Sequence, residues 1–432
     1  MNQFLKSSIF VFFFFFGIVV GIFVLLNRDD IYEFYRPKKV IVPDATYSLL
    51  TEAKNQGLES YSTDDSRRDI LAFITGQFDL YRAGGIELKQ IEDLYNLPPD
   101  LKKHLAVCRV QVINSKVYAD FNSEPIQHYC KKLVAGLYRS MKKNKINNVD
   151  FIFLAFDVIP AANEEVDLMV TNTPFFLMSK DLASPIEKNA LLLPDAYLLE
   201  NKMWPNVFYK IQRASKNYSW DSKILKVFWR GSTTGGDYKL ENYDRLPRLS
   251  LVMLSKSFPN LLDARFANFA QFSEEKSSKD LHMVLSTLFP EGPKWVVDED
   301  HLAYKYLISI DGNTCAWLRV PWILLSNSVL LKQESQKIEM FYAGLKPYVH
   351  YVPVSEDISD VFEKLRWLQH HDAEAKIISE NATSFIQTSL TQDKIDEYLA
   401  ITLNEYHKLQ KFEVTKPTMP PVTEMWLRVM GL

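Results

Sequence analysis

Metal-ligand spacing is missing from this chain. Its eight histidines form no HxxxH or HExxH pattern, and its three cysteines, Cys108, Cys130 and Cys315, show no CxxC spacing and cannot all pair. Neither a zinc site nor a disulfide framework is expected from them, and a reducing compartment is favoured over a secretory lumen. Long basic runs are missing as well. Lys plus Arg number 50 against 53 for Asp plus Glu, a formal net charge of -3, so nucleic acid is not an expected partner. The GxxxxGK[ST] spacing of a P-loop does not occur. Two glycosylation sequons, Asn217-Tyr-Ser and Asn381-Ala-Thr, are present, but chance often supplies such triplets.

What the chain does have is length and apolar content. At 432 residues and 47% hydrophobic it exceeds one ordinary hydrophobic core, and two domains are expected. The run from Ile9 to Leu26 carries no charge and has about the minimum length of a bilayer-crossing helix. It ends in Leu-Leu-Asn-Arg-Asp-Asp without a small-residue cleavage site, so an uncleaved anchor is expected. Lys6 precedes it, whereas Arg28, Arg36, Lys38 and Lys39 follow, which places the globular part on the cytoplasmic side. Residues 27–45, with Pro37 and Pro43, read as a stalk.

The stretch most informative about chemistry runs from Tyr304 to Val354. An apolar run to Ile310 ends in Asp311-Gly312-Asn313, a helical segment at about Cys315 to Leu325 follows, and a second apolar run begins at Val329. This is a β-α-β unit, whose first loop opens at the carboxyl edge of a parallel sheet, where ligands bind. A second strand-to-loop junction lies at Trp229-Arg230-Gly231-Ser232-Thr233-Thr234-Gly235-Gly236. Small residues there admit phosphate oxygens to backbone N–H groups, and Arg230 offers paired charge-assisted bonds. The same composition also makes ordinary turns. Arg245 and Arg248 precede an apolar segment and either point back at this loop or stand in solvent.

Asp157 follows a buried-strand run from Asp150 and precedes Pro160. It either reaches into a cleft or caps the turn. Asp298-Glu299-Asp300 has the DxD form used by many nucleotide-sugar enzymes to hold a divalent metal, but it precedes its strand and reads as a polar loop. Val110 to Ile113 and Val117 to Phe121 read as a hairpin around Asn114-Ser115, and helices are expected at about 361–371, 373–390 and 394–412.

Four segments in order, Phe228-Trp-Arg-Gly-Ser-Thr-Thr-Gly, Tyr304-Lys-Tyr-Leu-Ile-Ser-Ile-Asp-Gly-Asn, Ser328-Val-Leu-Leu-Lys-Gln-Glu-Ser and Leu345-Lys-Pro-Tyr-Val-His-Tyr-Val-Pro-Val, resemble glycosyltransferase family 90. That family holds capsule-associated proteins, lipopolysaccharide A proteins and protein O-glucosyltransferases, and the spelling here is most similar to the bacterial branch. The resemblance implies an α/β fold of GT-B type, with two Rossmann-like domains facing across a cleft. It places an acceptor-side domain at 46–215 and a nucleotide-sugar-binding domain with closing helices at 216–432. It also implies an inverting transfer from a UDP-sugar donor without a required metal or other cofactor. By the same resemblance Asp157 is the general base, and the donor site comprises Arg230, Gly231, Ser232, Thr233, Arg248, Asp311, Gly312, Asn313, Thr314, Trp317 and Arg319, with Glu334 on a ribose. The expected acceptor is a glycan or lipid-linked glycan such as lipopolysaccharide or capsule. A protein hydroxyl in a secretory lumen and an inactive nucleotide-sugar-binding module are the alternatives.

Overall fold

Asn114 and Ser115, with φ of 50° and 60°, close the expected hairpin between β1 (Val107–Ile113) and β2 (Lys116–Ala119). Positive φ at both central residues matches the turn to the strands' twist. β1 also pairs antiparallel with β3 (Val149–Leu154), after which β4 (Phe175–Leu177), β5 (Ser179–Asp181) and β6 (Leu191–Leu192) follow along the chain. The first sheet has the order β2-β1-β3-β4-β6, parallel only from β3 onward. The hairpin therefore makes this half mixed rather than wholly parallel. The computed structural model describes residues 62–120, 126–157, 159–160, 163–187, 189–289, 292 and 294–422. The anchor and stalk expected at 9–45 lie outside the described residues; among those described, no helix is long and apolar enough to cross a membrane.

The second half contributes β7 (Ile224–Ser232), β8 (Leu262–Asn268), β9 (Tyr304–Ser309), β10 (Val329–Gln333), β11 (Lys337–Glu339) and β12 (Val352–Val354). Its main sheet is parallel throughout in the order β12-β10-β9-β7-β8. β9, β10, β12 and the carboxyl part of β7 are buried on both faces, with side chains alternating between two cores, while β8 at the edge is buried on one. Val227, Trp229, Tyr306, Ile308, Val329 and Leu331 face a core confined to this half, while Phe228, Leu307 and Leu330 face one shared with the first half. Continuous apolar runs are what a sheet covered on both faces requires. The order places β8 on one side of β7 and all later strands of the sheet on the other. Winding thus reverses between β7 and β9, and a crevice opens beyond their carboxyl ends.

Beyond the shared core, a backbone strand pairing and the C-terminal helices tie the halves. β5 pairs antiparallel with β11, Ser179 opposite Glu339, so that one strand from each half makes a small sheet of its own. The three expected C-terminal helices are present at Val361–His370, Asp372–Ser389 and Gln392–Leu409. The last, however, returns to the first half. Its Asp396 takes Arg139 of the helix Ile126–Met141 at 2.7–2.9 Å, and Tyr406 donates to the Asp150 carbonyl at 3.2 Å. Beyond it, Thr418 and Met419 donate backbone N–H groups to Gln111.

The expectation for the cysteines is corrected here. Cys108 on β1 and Cys130 on the helix Ile126–Met141 meet sulfur to sulfur in the core as a disulfide pair, while Cys315 is free and buried. They lie 22 residues apart in sequence, and it is the packing of the helix on the sheet that joins them.

Candidate active site

The loops leaving β7 and β9 lie against each other at the switch point. Gly235, at φ +92°, comes so close to Gly312 that a Cβ would stand 3.1 Å from its carbonyl, and a Cβ on Gly312 would stand 2.9 Å from an Arg248 nitrogen. Gly231 sits beneath the Trp229 ring, where a Cβ would collide at 2.3 Å. Glycine is needed at these positions for close approach. Asn313 accepts from the Gly235 N–H at 3.2 Å, and Thr233 is held inward by paired bonds with Ala270, each 2.6 Å.

Arg248, in the first turn of the helix Pro247–Ser257, ties the two loops together. Its guanidinium donates to the carbonyls of Ser232 (2.9 Å), Ile310 (2.9 Å) and Asp311 (3.1 Å) and to the Thr234 hydroxyl. Burial lowers its pKa below the ordinary arginine value, opposed by the nearby Tyr238 and Asp311, and no carboxylate among the described residues forms an ion pair with it. Asp311 is turned away from the crevice: its carboxylate accepts from Ser335 at 2.6 Å, and its N–H donates to Gln333 at 2.9 Å. The Gly312 carbonyl accepts from Lys337 at 2.8 Å, and the Thr314 hydroxyl bonds that of Ser179 in the first half.

Beside these loops is a cavity of about 270 Å³, lined by residues that include Tyr197, Arg230, Trp295, Asp298, His301, Trp317, Arg319 and Trp322. Arg230 is folded back onto β8, donating to Asp263 Oδ1 at 2.8 Å and to its carbonyl at 2.9 Å, and its buried Nε has no hydrogen-bond partner among the described residues. Arg319 makes no side-chain hydrogen bond or ion pair among the described residues; burial, then the nearby Arg248, brings its pKa down to about 10. The His301 Nδ1 lies 3.0 Å from the Val297 carbonyl and so carries the proton. Burial, aided by Arg319 and Arg230, holds this imidazole at about 4, leaving it neutral near pH 7 with Nε2 as an acceptor. Trp317, at φ 47°, brings its indole centroid 5.9 Å from the Tyr197 ring.

Tyr197 belongs to the first half and connects this cavity to Asp157. Tyr129 donates to Asp157 Oδ1 at 2.8 Å and packs edge-on against Tyr197 at 6.2 Å. Burial, followed by Asp157 and Tyr197, raises the Tyr129 phenol far above its ordinary value. Beneath them Lys132 lies 3.4 Å from the centre of the Tyr197 ring, and burial lowers its pKa. Asp195 is pushed up to about 7 by burial, against the pull of the Tyr197 N–H and Lys132.

The profile of Glycosyl transferase family 90 matches residues 93–426. The chain belongs to glycosyltransferase family 90. Among curated proteins, it is 36% identical over 206 residues to Protein O-glucosyltransferase 2 of Danio rerio, covering 48% of this chain and 36% of that one. It is 30% identical over 210 residues to Protein O-glucosyltransferase 1 of Homo sapiens, 47% of each chain. The matched stretch thus spans less than half the length of these relatives. Among solved structures, Anabaena Alr3699/HepE in complex with UDP-glucose overlaps 56% of this chain and 66% of its own at 12% identity and a TM-score of 0.35, too slight a likeness to build on.

Within this family 90 chain, the residues singled out from sequence fall into three groups. Arg230, Trp317 and Arg319 line the cavity. Gly231, Ser232, Thr233, Arg248, Asp311, Gly312, Asn313 and Thr314 build the crossed loops beside it, most of their polar groups already bonded within the protein. Glu334 stands apart, exposed on a separate cavity of about 200 Å³ that includes Lys332 and Tyr351. Lys305 lies at the opposite end of β9 and pairs with Asp372 at 2.9 Å. Sequence reasoning missed Tyr129, Lys132, Asp195 and Tyr197. The only signal available was Asp195-Ala-Tyr197 after a proline, which resembles any helix start.

Proposed function

We propose that this chain transfers a sugar from a UDP-sugar donor to an acceptor hydroxyl, with inversion and without a required metal, in a cleft of GT-B type between its two halves. One observation carries the reading: Arg319 of the second half, unpaired among the described residues, and Tyr197 of the first line one cavity, and Tyr197 packs against Tyr129, which donates to Asp157. In this reading Asp157 takes the proton of the acceptor hydroxyl as its oxygen attacks the anomeric carbon, and the bond from that carbon to the β-phosphate oxygen breaks on the opposite face. Arg319 and loop N–H groups meet the charge that develops on the departing UDP, with the Arg230 charge beside them. Tyr129 holds the Asp157 carboxylate in place.

Glucose is favoured as the sugar because the relatives quoted above are named as O-glucosyltransferases. The same names favour a protein hydroxyl as acceptor. A lipopolysaccharide- or capsule-type glycan, reached from a protein anchored through residues 9–26 with its catalytic part in the cytoplasm, is the reading from sequence. The test incubates the full chain with UDP-glucose, UDP-xylose and UDP-galactose, each with folded protein domains or glycan extracts, with and without EDTA. Expected is UDP release with one donor and one acceptor class, indifferent to EDTA. Tight UDP binding without turnover in any combination would leave only a nucleotide-sugar-binding module.

A further inference from the structure

Asp298 was set aside above as part of a polar loop, and its placement gives it a different significance. The short helix Asp298–His301 puts residues three apart on one face. Asp298 and His301 both line the cavity, whereas Asp300 is exposed to solvent. The two carboxylates of the DxD pattern therefore diverge and do not form a chelate. Asp298 makes no hydrogen bond or ion pair among the described residues, although it is half-buried. Burial raises its pKa, and Lys210 and Arg319 oppose the rise. Arg230, only 6% exposed and lining the same cavity, leaves its buried Nε without a hydrogen-bond partner among the described residues. Asp298 and Arg319, both unpaired among those residues, thus line one space with Arg230 beside them.

The distribution of charge gives that space a direction. A diphosphate is drawn to the Arg319 and Arg230 charges and repelled by the Asp298 carboxylate. An uncharged polyhydroxylated ring has the opposite requirement, since its O–H groups need acceptors, and the carboxylate and the His301 Nε2 supply them. Trp295 and Trp317 add indole surface suited to the C–H faces of such a ring.

We infer that Asp298 holds a hydroxyl of the donor sugar and restricts the donor to neutral sugars, so that uronic-acid donors are rejected by like charge. This rests on the donor-site reading above. Asp298 is a specificity-determining residue here and takes no part in bond making.

The test compares wild type with Asp298→Asn for binding of UDP alone, for kcat/KM with UDP-glucose, and for the ratio of UDP-glucose to UDP-glucuronate turnover, each with and without EDTA. Losing a hydrogen bond to a charged group is expected to lower kcat/KM for the neutral donor roughly 10- to 100-fold. The preference for the neutral donor should fall at least about tenfold, while UDP affinity stays within about twofold. Thermal unfolding of the variant, expected within a few degrees of wild type, serves as the control for folding. Unchanged kcat/KM and preference in an active enzyme overturn the inference and leave the donor site standing. Loss of UDP affinity in the variant, or EDTA-sensitive activity in wild type, overturns it too. A wild-type protein that binds no UDP and consumes no donor refutes the donor-site reading itself.

Discussion

Replacing Arg248 by methionine separates two roles that its position allows, a tie between loops and a direct ligand of UDP. Methionine keeps much of the apolar stem and removes every donor. The carbonyls of Ile310 and Asp311 then lose the guanidinium contacts described above, while that of Ser232 still accepts from the Thr234 N–H at 2.9 Å. Hydrogen bonds from a charged group contribute about 1.5–3 kcal/mol each. The loss is offset in part, because a buried cation without a carboxylate partner is removed as well. A net destabilisation of about 2–4 kcal/mol follows, read as a fall of several degrees in Tm. Because the guanidinium fixes the Asp311–Asn313 loop against the Ser232–Gly235 loop, UDP affinity should fall with it by at least about tenfold. Arg248→Lys, with one compact ammonium in place of a fork, should lie between. The assays are thermal unfolding and UDP titration on the same preparations. An unchanged Tm with lost UDP affinity would refute the tie and establish Arg248 as a direct ligand; no change in either would show that the crossed loops do not depend on it.

Asp157→Asn should lower transfer roughly 10²- to 10⁴-fold with an unchanged Tm, and Tyr129→Phe should produce a smaller loss, both measured as UDP release in the presence of acceptor. Asp150 takes Arg109 at 2.6 and 2.8 Å and Gln111 at 2.7 Å in the first-half core. Asp150→Ala leaves the arginine charge buried and uncompensated, and a loss of about 3–5 kcal/mol is expected in denaturant unfolding. Asp195, with a folded pKa near 7, binds a proton between about pH 4 and 7 that the unfolded chain does not. Its contribution to stability therefore falls as pH rises through that window and levels off above it. The groups influencing it are Lys132, Asp157 and, across the domain contact, Glu339. His301 and His350, both held near 4 by burial, act with the opposite slope. The measurement is accordingly the difference in Tm between Asp195→Asn and wild type, which should grow in favour of the variant from pH 4 to 7. A difference that does not vary with pH would refute the assignment.

Much of the local structure was legible. The hairpin at Asn114-Ser115, the strands ending at Ser232 and Ser309 and the C-terminal helices follow from periodicity and turn residues, because each is set by contacts close in sequence. The site was legible as two loops and a carboxylate. Which side chains in those loops face a ligand was not, because Thr233, Asp311 and Thr314 bond to Ala270, Ser335 and Ser179, partners 24 or more residues away. That Asp298 lines a cavity while Asp300 faces solvent was not legible for a related reason, since an acidic triplet carries no indication of which carboxylate is turned inward.

By itself the sequence determined the alternation of strands and helices, the family resemblance and the two small-residue loops; that their glycines serve a close approach of two backbones came from the structure. Only the tertiary structure decided that Cys108 meets Cys130, that the last helix returns to the first half, that Arg248 ties loops instead of standing free, and that Asp298 shares a cavity with Arg319. The physical reason is common to all four. Periodicity and turn chemistry are local properties of the chain, while the partner of a buried polar or sulfur atom is set by packing between segments far apart in sequence.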